Sequence, residues 1–227
     1  MALNLGQQIS TPAQPNLGSP TPTYDQGFFG TSFGGLNVYF AKLTAIFSAL
    51  FGQRGGKWIN NPYGAFEDTT DQTATANTAT VMTFNTTDFS NGVSVVTSGG
   101  KASRLTVAQA GIYNLQFSVQ FENTDVFEHD VSIWLRKDAT GAGVDISGST
   151  GLVGVPSSHG GVSGHTIAGW NYFIELLANE FVEIWWSTPS TNVSIQAYAA
   201  GTSPTRPSTA SVVATMTFVS NLSTETA

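Results

Sequence analysis

The chain has 227 residues, of which eight are Lys or Arg and fifteen Asp or Glu, for a formal charge of −7. Charged residues make up only 10%, against roughly a quarter in an ordinary soluble protein, and no basic stripe exists, which excludes a nucleic-acid binder. So few charges, with abundant Ser, Thr, Asn, Gln and Gly, point to surfaces covered by other chains, and no cysteine is present to form a disulfide or a thiolate metal site.

Residues 1–35 carry Pro12, Pro15, Pro20 and Pro22, several glycines, and a cluster of Phe28, Phe29 and Phe33. Proline and glycine at this density predict an extended arm, and the three phenylalanines are its candidate anchors. No basic segment and apolar core opens the chain, as a signal peptide would require. Residues 36–57 are expected to hold one short helix, because Leu36, Tyr39, Leu43, Ile46 and Leu50 recur at spacings of three and four over 36–51. Phe40, Phe47 and Phe51 widen its apolar face. Interrupted by Asn37, Lys42 and Thr44, the stretch is short for a membrane span, so its apolar face is expected to pack on sister helices in a trimeric bundle, with its own domain or another protein as the alternatives. Residues 58–75 read as a linker with aromatic handles at Trp58, Tyr63 and Phe66 and turn chemistry at Asn61-Pro62-Tyr63-Gly64.

From residue 76 to 227 short strands follow one another, predicted near 78–84, 92–98, 103–108, 111–122, 129–137, 143–153, 162–177, 180–188, 192–200 and 210–220. No helix-period segment interrupts them, and the pattern predicts a two-sheet antiparallel sandwich or barrel. The clearest is 111–122, where Tyr113, Leu115, Phe117, Val119 and Phe121 alternate with Asn114, Gln116, Ser118 and Gln120. One face is then buried. The other carries amides and a hydroxyl without any charge, and is either wet or paired with a similar surface.

Candidate chemistry is sparse. In Glu128-His129-Asp130 adjacent residues point to opposite faces of a strand and cannot share a metal. His159 and His165 flank a Gly-rich loop with no carboxylate in it, and Ser157 and Ser158 lack a nucleophile motif. Glu122, Asp125, Glu128 and Asp130 cluster in one inter-strand loop, which is expected to keep a loop tip solvated, with a calcium site as the alternative. No enzyme and no cofactor are expected.

Gly111, Tyr113, Leu115 and Phe117 match a G-x-Y-x-[LF] strand; Val131, Ile133 and Leu135, followed by Lys137-Asp138, match the next. Leu176, Ala178-Asn179-Glu180, Val182 and Ile184 follow in order, with Asn179-Glu180 where a Gly-Asp turn is usual, and 211–220 closes the series. This order resembles the jelly roll of the tumour necrosis factor and complement globular-head superfamily. Segments 129–137, 156–173 and 198–212 also resemble structural proteins of tailed bacteriophages. Together these imply an all-β jelly-roll sandwich, preceded by an arm and a helix, in a homotrimeric virion protein. The implied role is capsid decoration, with Phe28, Phe29, Phe33, Phe40, Phe47 and Phe51 anchoring the chain to the major capsid protein or another virion protein. The alternative is a head or tail fibre that recognises host surface glycans through Trp170, Asn171 and Tyr198. In either case Asn114, Gln116, Ser118, Gln120, Trp134, Trp185 and Tyr198 are the expected trimer interface.

Overall fold

The computed structural model describes residues 13–15, 23, 25–51, 61–138 and 141–222, with residues 49–51 as backbone only. It divides into two compact units, one from the N-terminus to Asn61 together with Ser223–Ala227, the other Pro62–Leu222.

In the first unit a single helix, α1 (Gln26–Phe51), begins ten residues earlier than the sequence pattern indicates. Phe28, Phe29 and Phe33 therefore lie on a helix and not on an extended arm. The last of the four prolines is Pro22, so nothing of that kind bars a helix from Gln26 on. Asp25 starts it, because its Oδ1 accepts the backbone N–H of Gly27 at 2.8 Å and of Phe28 at 3.2 Å. That N-cap satisfies donors the helix itself cannot and offsets part of the cost of Gly27, Gly30, Gly34 and Gly35. The earlier part of the predicted arm, the Leu50 and Phe51 side chains, and Trp58 lie outside the described residues.

The second unit is an all-β antiparallel sandwich. Its strands are β1 (Tyr63–Asp68), β2 (Gln72–Thr73), β3 (Thr80–Val81), β4 (Thr86–Asn91), β5 (Val93–Ser98), β6 (Lys101–Val107), β7 (Gly111–Asn123) and β8 (His129–Asp138). They continue with β9 (Val144–Asp145), β10 (Gly151–Val155), β11 (Gly164–Leu176), β12 (Phe181–Ser187), β13 (Val193–Ile195), β14 (Gly201–Thr202), β15 (Thr205–Arg206) and β16 (Val212–Ser220). One sheet runs β2-β13-β7-β16-β1-β4, with β11 also paired to β7; the other runs β10-β8-β12-β6-β5, with β3 on β12 and β9 on β8. This architecture is compatible with a jelly roll.

β7 organises the first sheet. Tyr113, Leu115, Phe117, Val119 and Phe121 are buried to 4% exposure or less, while between them Gln116 is exposed and Asn114, Ser118 and Gln120 are partly exposed. β11 pairs with all thirteen of its residues, and β16 flanks its other side from Ile112 to Val119. Across the sandwich, Val131, Ile133, Leu135, Val182, Ile184 and Trp186 close the core, with Trp186 5.8 Å from Phe121 ring to ring. β12 is buried on both faces.

The predicted linker is mostly sheet. β1 lies between β16 and β4, and Phe66 is wholly buried. Gly64 makes room for it: a Cβ there would come within 2.4 Å of the Phe66 ring. At the end of β1, Asp68 is 2% exposed. Its carboxylate accepts the Thr70 N–H and hydroxyl (2.9 and 2.6 Å), the Asn85 amide (3.0 Å) and the Thr83 hydroxyl (2.8 Å). Asp68→Ala removes the acceptor these donors share, though Thr70 and Asn85 are exposed and can turn to solvent, and is expected to cost about 2 kcal/mol. Chemical denaturation checks this, and a loss under 1 kcal/mol would mean that the cluster is replaceable by solvent.

Candidate interaction surfaces

The outer face of the first sheet is built from three adjoining strands. Register places Gln116 beside Asn171 of β11 and Thr215 of β16, Ser118 beside Gly169 and Val213, and Asn114 beside Phe173 and Thr217. Gln120 faces Ile167. This patch contains no charged residue; Glu122 beside His165 marks one end and Glu175 beside Ile112 the other. Ile167 and Phe173 stand 66% and 65% exposed within it. Asn114 Oδ1 is shielded yet meets no hydrogen-bond donor, which in folded proteins is an unusual state for a buried acceptor.

At the centre lies a shallow concavity of about 530 Å³, lined by Gln116, Ser118, Gly169, Asn171, Val213 and Thr215. Gly169 forms its floor. A Cβ at that position would meet only ordinary contacts, the nearest being the Phe117 carbonyl at 3.5 Å. Packing within the chain does not require this glycine; its effect is to leave the floor open.

Tyr198 lies at the end of this face. Its hydroxyl is 3.0 Å from His165 Nδ1 and 3.4 Å from Glu122 Oε2, and its ring meets His165 edge-on. Desolvation, then the Glu122 carboxylate, pushes the phenol up to about 12, so at neutral pH it stays protonated and a donor. Tyr198 and His165, with Gln120, Thr166, Ile167 and Arg206, line a second recess of about 410 Å³.

Trp134 and Trp185 are on the far side of the sandwich, on the outer face of the second sheet. They are cross-strand partners with rings stacked at 6.5 Å. Both are engaged within the chain. The Trp134 indole donates to Asp145 Oδ1 at 3.0 Å and that of Trp185 to Glu183 Oε2 at 3.0 Å, while the Arg136 guanidinium covers Trp185 at 4.1 Å and pairs with Asp145 at 2.8 Å. The Arg136 hydrogen bond is the main cause holding Asp145 below the usual carboxylate range. The sequence-derived interface residues thus fall into two patches on opposite faces, one uncharged and open, the other internally satisfied.

Trp170 is not a loop aromatic. It sits mid-strand in β11, turned inward, edge-on to Phe117 at 5.6 Å and over Gly151, where a Cβ would approach its ring to 2.4 Å. Its neighbour Asn171 is the one exposed on the outer face.

The acidic loop between β7 and β8 is clasped. Asp125 accepts from Asn192 at 3.2 Å and pairs with His129 at 2.9 Å, and its carboxyl is held down to about 2, chiefly by the His129 hydrogen bond and then that of Asn192. Because this value lies below the ordinary 3.8, the clasp is intact above that pH and is lost as pH falls toward 2. Amide resonances of Val126 and Ser158, both bonded to Asp125, are expected to move in that window; unchanged shifts would contradict the clasp. Among the described residues no three His, Asp or Glu converge on a metal position. His159 lies in a turn and His165 is directed to Tyr198, so the two do not form one site.

On α1, Phe29 (39% exposed), Phe33 (66%), Phe40 (58%) and Phe47 (54%) follow one another at spacings of four, seven and seven. These spacings align them on one stripe of the helix. Leu36, Tyr39, Leu43 and Ile46 are half-buried beside it. No helix among the described residues is long and apolar enough to cross a membrane.

The open floor at Gly169 and the exposure of Ile167 and Phe173 escaped the sequence reading, although the outward alternation of β11 was a signal for them. No known protein family matches the chain, and no curated protein matches it either.

Proposed function

We propose that this chain is a structural protein of a tailed-bacteriophage virion, a homotrimer that decorates the capsid and ties it together. The observation that carries this reading is the uncharged outer face of β7, β11 and β16, with Ile167 and Phe173 exposed on it. A face of that composition is suited to a second copy, since charge-poor and partly apolar patches mark interaction sites. The helix supplies the other half. Its stripe of Phe29, Phe33, Phe40 and Phe47 is placed to anchor in a virion partner such as the major capsid protein, and three copies in one trimer multiply the affinity. Binding only the assembled shell would stabilise that shell by mass action. Catalysis has no part in this proposal.

A head or tail fibre that recognises host glycans is the second reading. The recess at Gln120, His165, Tyr198 and Arg206 favours it, because a phenol, an amide and a guanidinium around an aliphatic side chain suit a sugar.

Serine at Phe29, Phe33, Phe40 and Phe47 together is expected to leave the sandwich folded and to abolish binding to purified capsids, measured by co-sedimentation. Retained binding would remove the helix from the anchoring role. Imaging of particles carrying labelled protein separates shell from tail directly, and a label absent from both would end the virion reading.

A further inference from the structure

The two ends of the sandwich differ. The chain enters it at Pro62, whose carbonyl accepts the Phe218 N–H at 2.9 Å, and leaves it just past Ser220, which pairs with Ile112. Entry and exit are therefore both at the beginning of β7. Thirteen residues later, about 40 Å along the strand, lies the opposite end, formed by the loops 124–128, 156–163 and 188–192.

At that end Val126 and Phe127 are each 68% exposed and Val162 66%. Exposed apolar side chains on a mobile loop would mean little. These are held. The wholly buried Asn123 donates through its amide to the carbonyls of Phe127 (2.8 Å) and Val155 (3.2 Å) and accepts the Asp125 N–H (2.9 Å). Asp125 in turn accepts the Val126 N–H (2.7 Å) on its carboxylate and the Ser158 N–H (2.7 Å) on its carbonyl. The Thr124 N–H donates to the Asn192 carbonyl at 3.0 Å. Val162 tops a tight turn, exchanging two backbone bonds with His159 across Gly160 and Gly161, whose φ values of 60° and 81° are those of a two-residue hairpin loop. The backbone bonds are spent inward, and the apolar side chains are left facing out on a fixed frame.

The loops themselves carry acidic residues. Glu122, Asp125, Glu128 and Asp130 lie in or beside these loops, and the stretches 122–130, 156–166 and 188–196 contain no Lys or Arg. Arg104, Arg136 and Lys137 are toward the other end, Lys137 bonding the carbonyl of Glu175 and Arg136 pairing with Asp145, whereas Arg206 is nearer, in the recess with His165 and Tyr198.

We infer that Val126, Phe127 and Val162 form a pre-ordered docking tip for a protein segment that carries apolar side chains flanked by lysine or arginine. Fixing the loops beforehand reduces the ordering cost of association, and the acidic surround selects a basic partner and speeds encounter. A surface of anionic lipid is disfavoured by the same carboxylates. The tip lies just past Glu122 and His165, beyond the end of the sheet face assigned to self-association.

The test uses the full chain to select from a displayed library of short random peptides, beside vesicles of phosphatidylglycerol or phosphatidylcholine and an array of glycans. The expected result is enrichment of peptides that combine aliphatic or aromatic residues with lysine or arginine. Binding should fall about tenfold or more in V126S/F127S, weaken as salt rises, and persist in Val144→Ser, an exposed position in β9. Both tip residues are solvent-facing, so the double variant folds, and an unchanged melting temperature documents it. Peptides bound regardless of Val126 and Phe127, no selected peptide, or vesicles or glycans held through those residues would each overturn the inference. Failure of the virion reading is separable, since tip-dependent capture can hold for a protein absent from particles.

Discussion

Phe173→Asp is expected to disperse the assembly into folded monomers. Phe173 stands 65% exposed on the outer face of β11, beside Asn114, whose Oδ1 meets no donor. A carboxylate there costs the isolated chain almost nothing, because it remains in water. Covered by the amides and hydroxyls of a neighbouring copy's β7 and β11, it must be desolvated without a counter-charge from those strands, at several kcal/mol. In a trimer the charge is repeated at every interface. The association constant should therefore drop by more than about a thousandfold, while the melting temperature of the dilute protein stays within a degree or two. Gln116→Glu, at the rim of the concavity, should act in the same direction and less strongly. Light scattering against concentration reads both. If Phe173→Asp assembles like the parent, that face is only wet.

Arg104→Met should lower the stability of the sandwich by about 3 kcal/mol. Glu183 is 4% exposed, on the face of the second sheet away from the core. Its Oε1 accepts the Ser103 hydroxyl at 2.9 Å and the Arg104 guanidinium at 3.2 Å, its Oε2 the Trp185 indole at 3.0 Å, and Arg104 also lies over the Phe181 ring at 3.9 Å. Methionine keeps much of the contact with Phe181 and removes the cation paired with the carboxylate. A buried charge with two neutral donors remains, and leaving it costs more than the pair contributed. For a unit of this size the loss corresponds to about 9 °C in Tm. Adding Glu183→Gln should recover most of it, because the two sites are coupled; strict additivity would show that the pair carries no special weight.

The fold was legible where a strand has one dry face. β7, β8, β11 and β16 alternate between a drier and a more open face along their length and lie close to their expected positions. β4 gave no such signal. TTDFSN sits at the edge of the sheet with every residue at least partly exposed, so no periodicity is imposed on it. β1 was hidden by Asn-Pro-Tyr-Gly, which reads as a turn, whereas Gly64 is there to admit the Phe66 ring. The stretch expected as a strand at 143–153 breaks in two at Gly148, whose φ is 78°. That at 192–200 stops at Ile195, since the Ala197 N–H turns to the Asp71 carboxylate. The helix start depended on the single cap at Asp25, easily passed over among prolines and glycines.

The candidate surfaces were legible in part. Period-two alternation located Asn114, Gln116, Ser118 and Gln120 on a common outer face, and it did the same for Trp134 and Trp185 on another. It could not say that these faces point in opposite directions, because that depends on which sheet each strand joins. Nor could it show that Trp185 is already covered by Arg136 while Gln116 is open. The exposed pair Val126 and Phe127 was passed over for the carboxylates around it. Their display depends on Asn123 and Asn192, residues distant in sequence that only the fold brings together.

Sedimentation equilibrium of the full chain at micromolar concentration is the most direct test of the proposal that copies of the chain cover one another's β7 face. A single species of three times the 23.9 kDa chain mass, reduced to one chain mass by Phe173→Asp, is the expected result. A monomer at every concentration would contradict it.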